Sequence, residues 1–230
     1  NIAGIYFKEL MQSLPILAAK TGLCTKQFVQ QDEALVGLDQ SMPYLFDHKA
    51  IEVDSPLTLS EQLKQLESHP NCLVIRGQLI SGRPSQSIRR TLKASAGEES
   101  NFEHCSRQWC LIDIDDLPLP KHLSDYQNNK TEIVGFAVSH LPEQFQNVQC
   151  WYQFSSSMGI KQGKVRLHLW YWRSRPRADE EMKGWLQESP VDLALFNPVQ
   201  PHFTANPIFL DGAIGQQVCL APLYSTFKSG

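Results

Sequence analysis

The alternation of apolar and polar positions is clearest from Val165 to Trp172. Val165, Leu167, Leu169 and Tyr171 take one face of a predicted strand, and Arg166, His168, Trp170 and Trp172 take the other. Gln149 to Ser156 alternates more weakly and pairs with it as an antiparallel hairpin. Trp109 to Pro118 reads as a short buried strand. Ile112 and Ile114 point into a core, Asp113 and Asp115 share the opposite face, and Asp116 falls back on the core side. Cys72 to Arg76 is a further apolar strand that delivers Arg76 at its end.

Helical spacing marks Ser55 to His69, with Leu59, Leu63 and Leu66 on one face, a Thr58–Glu61 capping box and Pro70 as the stop. Glu132 to His140 and Asp179 to Gln187 are the other helices, the latter with acids in its first turn. Phe7 to Ala19 also has helical spacing, broken at Pro15. Leu35–Leu38 and Tyr44–Phe46 are short apolar pieces of a small lobe. Val191 to Phe196 reads as a last short strand interrupted by Asp192, a residue that needs partners if it is buried. The loop from Gly77 to Gly97 and the tail 197–230 are rich in turn residues.

A chain of 230 residues is long enough for one domain with two lobes. It opens at Asn1 without Met and is read as a fragment of a longer protein. No apolar run approaches the ~20 residues that span a bilayer, no signal peptide is visible, and the expected compartment is the cytoplasm. Six scattered cysteines form no paired pattern and read as reduced thiols; His104, Cys105 and Cys110 supply at most part of a zinc site. The net charge of −3 argues against a uniformly basic nucleic-acid binder. Its distribution changes that picture. Two acid-free blocks, one holding Arg76, Arg83, Arg89, Arg90 and Lys93, the other Lys161, Lys164, Arg166, Arg173, Arg175 and Arg177, carry about half the basic residues and suit a phosphate-bearing ligand.

Two carboxylates side by side repel unless a cation or a shared proton lies between them. Asp113 and Asp115 therefore read as ligands of a divalent ion such as Mg²⁺, or, more plainly, as a strand end running into a polar turn. Arg166 and His168 project together beside Ser155, Ser156, Ser157 and Gly159 and make a receptor for a polyphosphate, with Lys164 in the adjoining basic turn. Asp192 is a third acid for a shared metal. Asp211 is its rival, although Asp211-Gly212 is also an ordinary turn.

The order of an Asp-x-Asp strand, a Ser-rich loop followed by a strand bearing His, and an apolar-Asp segment resembles the three motifs of the archaeo-eukaryotic primase superfamily. Val165-Arg166-Leu167-His168-Leu169-Trp170, Asp192-Leu193 with Leu195-Phe196 and Pro198-Val199-Gln200, and His202-Phe203-Thr204-Ala205 resemble the primase modules of phage, plasmid and genomic-island replication proteins. The resemblance covers about residues 72–210. It implies an α+β fold with an N-terminal α/β lobe (1–105) and a catalytic RRM-like antiparallel-sheet lobe (106–230). It also implies a primase/polymerase that makes short primers on single-stranded DNA from NTP or dNTP, by two-metal transfer with Mg²⁺ or Mn²⁺, beside a helicase domain or partner. Asp113, Asp115 and Asp192 would hold metal. His168 would contact the incoming triphosphate with Arg166 beside it, where many members carry a small residue. Ser155, Ser157, Lys164 and Arg76 are further nucleotide or template contacts, and Trp170 or Trp172 would stack bases. The alternatives are a metal-dependent nuclease or nickase, and an inactive primase-like nucleic-acid-binding module.

Overall fold

The computed structural model describes residues 12–32, 34–39, 41–92, 99–160, 163–210 and, as backbone, 225–227. The strands are β1 (Gln12–Ala19), β2 (Gln27–Gln31), β3 (Ala34–Gly37), β4 (Phe46–Val53), β5 (Cys72–Val74), β6 (Gln78–Leu79), β7 (Phe102–Glu103), β8 (Arg107–Pro118), β9 (Cys150–Phe154), β10 (Lys164–Arg177), β11 (Ile208–Phe209) and β12 (Ser225–Phe227). The helices are α1 (Pro56–Leu66), α2 (Lys130–Val138) and α3 (Asp179–Leu186). The chain is a mixed α/β protein.

Its centre is an antiparallel sheet in the order β12-β9-β10-β8. The face bearing Ile112, Ile114, Leu167 and Leu169 packs on Ile133, Val134 and Ala137 of α2 and on Met182 and Leu186 of α3. The other face is apolar only at one end. There Trp109, Leu111, Trp151 and Trp170 meet Leu14 and Ile16 of β1 and the Leu59/Leu63/Leu66 stripe of α1. Toward the other end the same face turns polar, and the cleft opens there.

A second sheet, β4-β1-β5, is antiparallel throughout. The helix expected up to Ala19 is therefore a strand over its described part; residues 7–11 lie outside the described residues. β1 is central in its sheet and buried on both faces, with Leu14 and Ile16 on one side and Leu17 and Ala19 on the other. Burial on both faces removes the two-residue alternation and leaves an apolar run that passes for helical spacing. In α1 the capping box is one turn earlier than expected. Ser55 Oγ accepts from the Thr58 N–H at 3.2 Å, and Thr58 Oγ1 accepts from the Ser55 N–H at 3.1 Å.

After α3 the chain returns to its N-terminal part. His202 and Val74 exchange backbone hydrogen bonds at 2.8 and 3.0 Å. β11 runs parallel to β2, which pairs antiparallel with β3, and Phe209 stacks on Phe28 with ring centroids 5.7 Å apart.

Arg76 is not at a ligand site. It is wholly buried between β5 and α3, where Nε donates to Asp179 Oδ1 at 2.7 Å and Nη1 to the Trp109 carbonyl at 2.9 Å. Nη2 donates to the Arg177 carbonyl at 3.3 Å, and the guanidinium lies over the Trp109 and Phe196 rings. The basic blocks are likewise largely engaged within the fold. Arg83 pairs with Glu99, Arg90 donates to the Val199 carbonyl, Arg173 to the Gln144 carbonyl, and Arg175 and Arg177 pair with Glu181. Lys93 and Lys161 lie outside the described residues.

Candidate active site

The polar end of the central sheet begins with a break in pairing. Val165 stands opposite Leu117 and Leu167 opposite Ile114, so Arg166 alone faces both Asp115 and Asp116. This bulge shifts the phase of β8, which is why its apolar positions run 110, 112, 114 and then 117. Arg166 uses the break. Its Nη1 is 3.1 Å from Asp115 Oδ1 and 3.1 Å from Ser157 Oγ, and its Nη2 is 3.7 Å from Asp116 Oδ1. A group read from the sequence as a phosphate contact instead ties the second carboxylate to the serine loop.

Asp113 and His168 face each other directly across β8 and β10. His168 Nε2 stands 3.6 Å from Asp113 Oδ1, too long for a hydrogen bond. Burial, with the charges of Asp115 and then Asp192, pushes the Asp113 carboxyl up to about 8. Burial pushes His168 down to about 4, with Asp115 acting against that shift and Lys26 adding to it. At neutral pH the two meet as an uncharged acid and an uncharged imidazole, not as an ion pair.

Asp192 is not on a strand and is not buried. It caps a single 3-10 turn, Leu193–Phe196, and its Oδ1 accepts the Ala194 N–H at 2.8 Å. Its own N–H donates to the Asp113 carbonyl at 3.0 Å, which fixes it beside β8. Asp211 lies outside the described residues.

A cleft of about 740 Å³ gathers these groups: Asp113, Asp115, His168, Asp192, Ser155 and Ser157 all line it. The serine loop is held by the Ser155 N–H, which donates to the Arg166 carbonyl at 3.0 Å, and by Gly159 at φ +77°. A Cβ at Gly159 would overlap the Tyr126 ring. Gly159→Ala is therefore expected to cost about 1–3 kcal/mol of stability from backbone strain alone and to displace Ser157, which urea unfolding and nucleotide-binding titration would register together. Equal stability and affinity in the variant would refute that role.

Several expected contacts are elsewhere. Lys164 Nζ donates to the Asp116 carbonyl at 3.1 Å on an exposed edge, away from the cleft walls. Trp170 is fully buried with Trp109, ring centroids 6.0 Å apart, and His202 packs on both. Trp172 borders the same core. Full burial rules out Trp170 as a platform for bases, and Trp172 does not line the cleft. Cys110 is in the core and His104 Nδ1 is 2.9 Å from Asp179 Oδ2, so with Cys105 they build no zinc site. The cysteines among the described residues are free thiols.

The opposite wall comes from a part of the chain that the sequence left blank. Residues 24–28, the end of β3 and the segment that follows it line the cleft together with the central sheet. Lys26 is close enough for its charge to act on both Asp113 and His168. The roof is the 200–207 segment, tied down where buried Gln153 donates to the Thr204 carbonyl at 2.8 Å. Nothing in the local pattern around Lys26 or Gln153 marks them; only the fold brings them here.

Among the described residues no three His, Cys, Asp or Glu side chains converge as a ready-made metal cage. Mg²⁺ does not require one, since it takes one or two carboxylates and completes its shell with water and substrate phosphate. Asp113 Oδ1 is a buried acceptor without a hydrogen-bond partner, next to a second carboxylate. Hard oxygen donors and an unsatisfied buried oxygen fit such an ion.

Fold and cleft together define a mixed α/β protein with an acid- and imidazole-lined site at one end of an antiparallel sheet. No family profile and no solved structure matches the chain. It is similar to a protein of Escherichia phage T5 named "Putative replication origin binding protein", at 26% identity over 202 residues. The match takes in 77% of this chain and 20% of that protein, so the chain spans about a fifth of the relative's length. The relationship is distant. Among the described residues no helix is long and apolar enough to cross a membrane.

Proposed function

We propose that the chain carries the nucleotidyl-transfer site of a replication protein: a DNA-dependent primase/polymerase module of the archaeo-eukaryotic type that works with Mg²⁺ or Mn²⁺. The observation that carries this reading is the cleft itself. Asp113 and Asp115, the serine loop, His168 and Asp192 come from four separate stretches of chain and line one wall system. Their order and chemistry match the resemblance seen in the sequence, and the phage relative supports a replication role.

Asp113 and Asp115 would hold the ions, with Asp192 joining when the site is charged. A bound pair of divalent ions supplies Lewis-acid activation of the 3′-hydroxyl and of the phosphate it attacks. The chain's own groups do the rest. Asp113 would give up its proton on becoming a ligand. Neutral His168 and the hydroxyls of Ser155 and Ser157 donate hydrogen bonds to the triphosphate, and Lys26 offsets charge that develops there. Arg166 keeps Asp115 in place, so that the nucleotide meets a carboxylate already oriented. The substrates are NTP or dNTP on a single-stranded template, and a helicase activity would be supplied by another part of a larger protein or by a partner.

A binding module without catalysis is the second reading, favoured by the origin-binding name of the phage relative. A nickase is less well served, because Tyr171 is buried and its hydroxyl donates to the Phe145 carbonyl at 3.2 Å. The test is de novo synthesis on a single-stranded template with labelled nucleotides, comparing Mg²⁺ with Mn²⁺. Short labelled products are expected with at least one metal. Template binding without incorporation in either would overturn catalysis and leave the binding reading; cut template would point to the nuclease.

A further inference from the structure

Large apolar side chains that remain exposed are not scattered over this protein. Among the described residues, Val36 at the end of β3 and Leu38, Met42, Tyr44 and Leu45 between β3 and β4 follow closely in the chain, and Phe203 lines the same cleft as Leu38 and Met42. Leu57 and Val148 are the others. Single exposed apolar residues need no explanation, but a gathered set marks a surface that something covers. Leu38, Met42 and Phe203 are 38%, 41% and 38% exposed and line the same cleft as Asp113 and His168. Two residues beyond Met42, Tyr44 is 59% exposed, and the Arg89 guanidinium lies over its ring at 3.7 Å.

The chemistry of this lip selects its occupant. A protein partner would be met by an apolar patch with a polar rim. Here the patch runs without interruption into a cleft of hydroxyls, imidazole and carboxylates, with Lys26 on the shared wall. Sequence-tolerant binders of single strands stack unpaired bases on exposed aromatic rings while basic side chains follow the phosphates, and Arg89, which covers one face of Tyr44, holds that ring and brings a positive charge beside it. Phe203 is presented toward the cleft because its neighbours His202 and Thr204 turn into the core.

We propose that Leu38, Met42, Tyr44, Leu45 and Phe203 form a stacking platform for the unpaired bases of a single-stranded nucleic acid that leads into the cleft, with Tyr44 and Phe203 as its anchors. The identification of that strand as a template rests on the nucleotidyl-transfer reading; its binding does not. This platform stands where Trp170 and Trp172 do not: Trp170 is built into the core, and Trp172 borders that core outside the cleft walls.

The test uses the 230-residue chain and a fluorescein-labelled oligothymidylate, titrated by anisotropy without divalent metal, with 2-aminopurine placed along the strand to report stacking. Tyr44→Ala and Phe203→Ala are each expected to weaken binding by about tenfold and to relieve the quenching of 2-aminopurine. Tyr44→Trp is expected to restore both. Binding is compared well below the melting points, since Tyr44 is 59% exposed but Phe203 only 38%, and the alanine variants will lose some packing. A double alanine variant that binds within about twofold of the parent would overturn the platform, and if it still makes primers in an Asp113-dependent way the catalytic assignment survives alone. Conversely, aromatic-dependent binding in a chain that never incorporates nucleotide upholds the platform and refutes catalysis. Loss of self-association, rather than of oligonucleotide binding, in the alanine variants would assign the patch to a second copy of the chain and overturn the proposal.

Discussion

Asp113→Asn is expected to reduce primer synthesis by about a thousandfold and, at the same time, to make the metal-free protein more stable. The first effect follows from removing a carboxylate that would hold the catalytic ion, an electrostatic contribution of several kcal/mol. The second follows from its surroundings. Asp113 is buried beside Asp115 and within reach of the charge on Asp192, and these hold its carboxyl near 8 instead of its ordinary value of 3.8. The folded chain therefore keeps a proton that the unfolded chain releases. Stability from that proton is complete below the unfolded value and is lost as pH rises to about 8. Thermal melts in chelator at pH 5, 7 and 9 should show the parent losing stability across the series and Asp113→Asn losing less. The gap between them should widen with pH. Mn²⁺ should restore the parent at pH 9, should release a proton on binding at pH 7, where the Asp113 carboxyl is still protonated, and should leave the variant unmoved. Parallel pH profiles in parent and variant would remove the electrostatic basis of the site, and full activity in the variant would remove the site itself.

How much of this was legible depended on how local the cause was. β10 could be read because half of it faces a continuous core and the other half carries Arg166 and His168, so the two-residue period survives. Asp113 and Asp115 could be placed on one face for the same reason. Asp116 was assigned to the core face by that period, and the bulge opposite Arg166 defeats it by adding one residue. β1 reads as a helix because a strand buried on both sides has no polar phase. Asp192 looked like a charge inside an apolar strand. It is the exposed cap of a turn whose apolar residues, Leu195 and Phe196, are the buried ones. Lys26 and Gln153 carry no local signal, and the lip around Tyr44 reads only as short apolar pieces. Their significance comes from contacts between distant segments, such as β11 pairing beside β2 and the 200–207 segment bonding to Gln153.

Arg76 is the sharpest case, because a basic residue at a strand end reads equally well as a ligand contact or as a clamp. The structure makes it a clamp, and the clamp predicts a large loss of stability. Asp179→Ala leaves a guanidinium buried with one ionic partner gone, and breaking such a pair costs about 3–5 kcal/mol. In a chain of this size that is a fall of about 6–20 °C in melting temperature. Arg76→Met should cost less on the charge side, since Asp179 keeps His104, with Nδ1 2.9 Å from its Oδ2, but it leaves the Trp109 and Arg177 carbonyls without their donors. The double variant Arg76→Met/Asp179→Leu removes both charges and should recover a good part of the loss, because an apolar pair of similar volume often matches a buried ion pair. The measurements are thermal and urea unfolding of the two single variants and the double. Nucleotide affinity measured well below the melting point should be unaffected in all three, because the clamp lies outside the cleft walls. A drop in nucleotide affinity in Arg76→Met without loss of stability would return Arg76 to the ligand site.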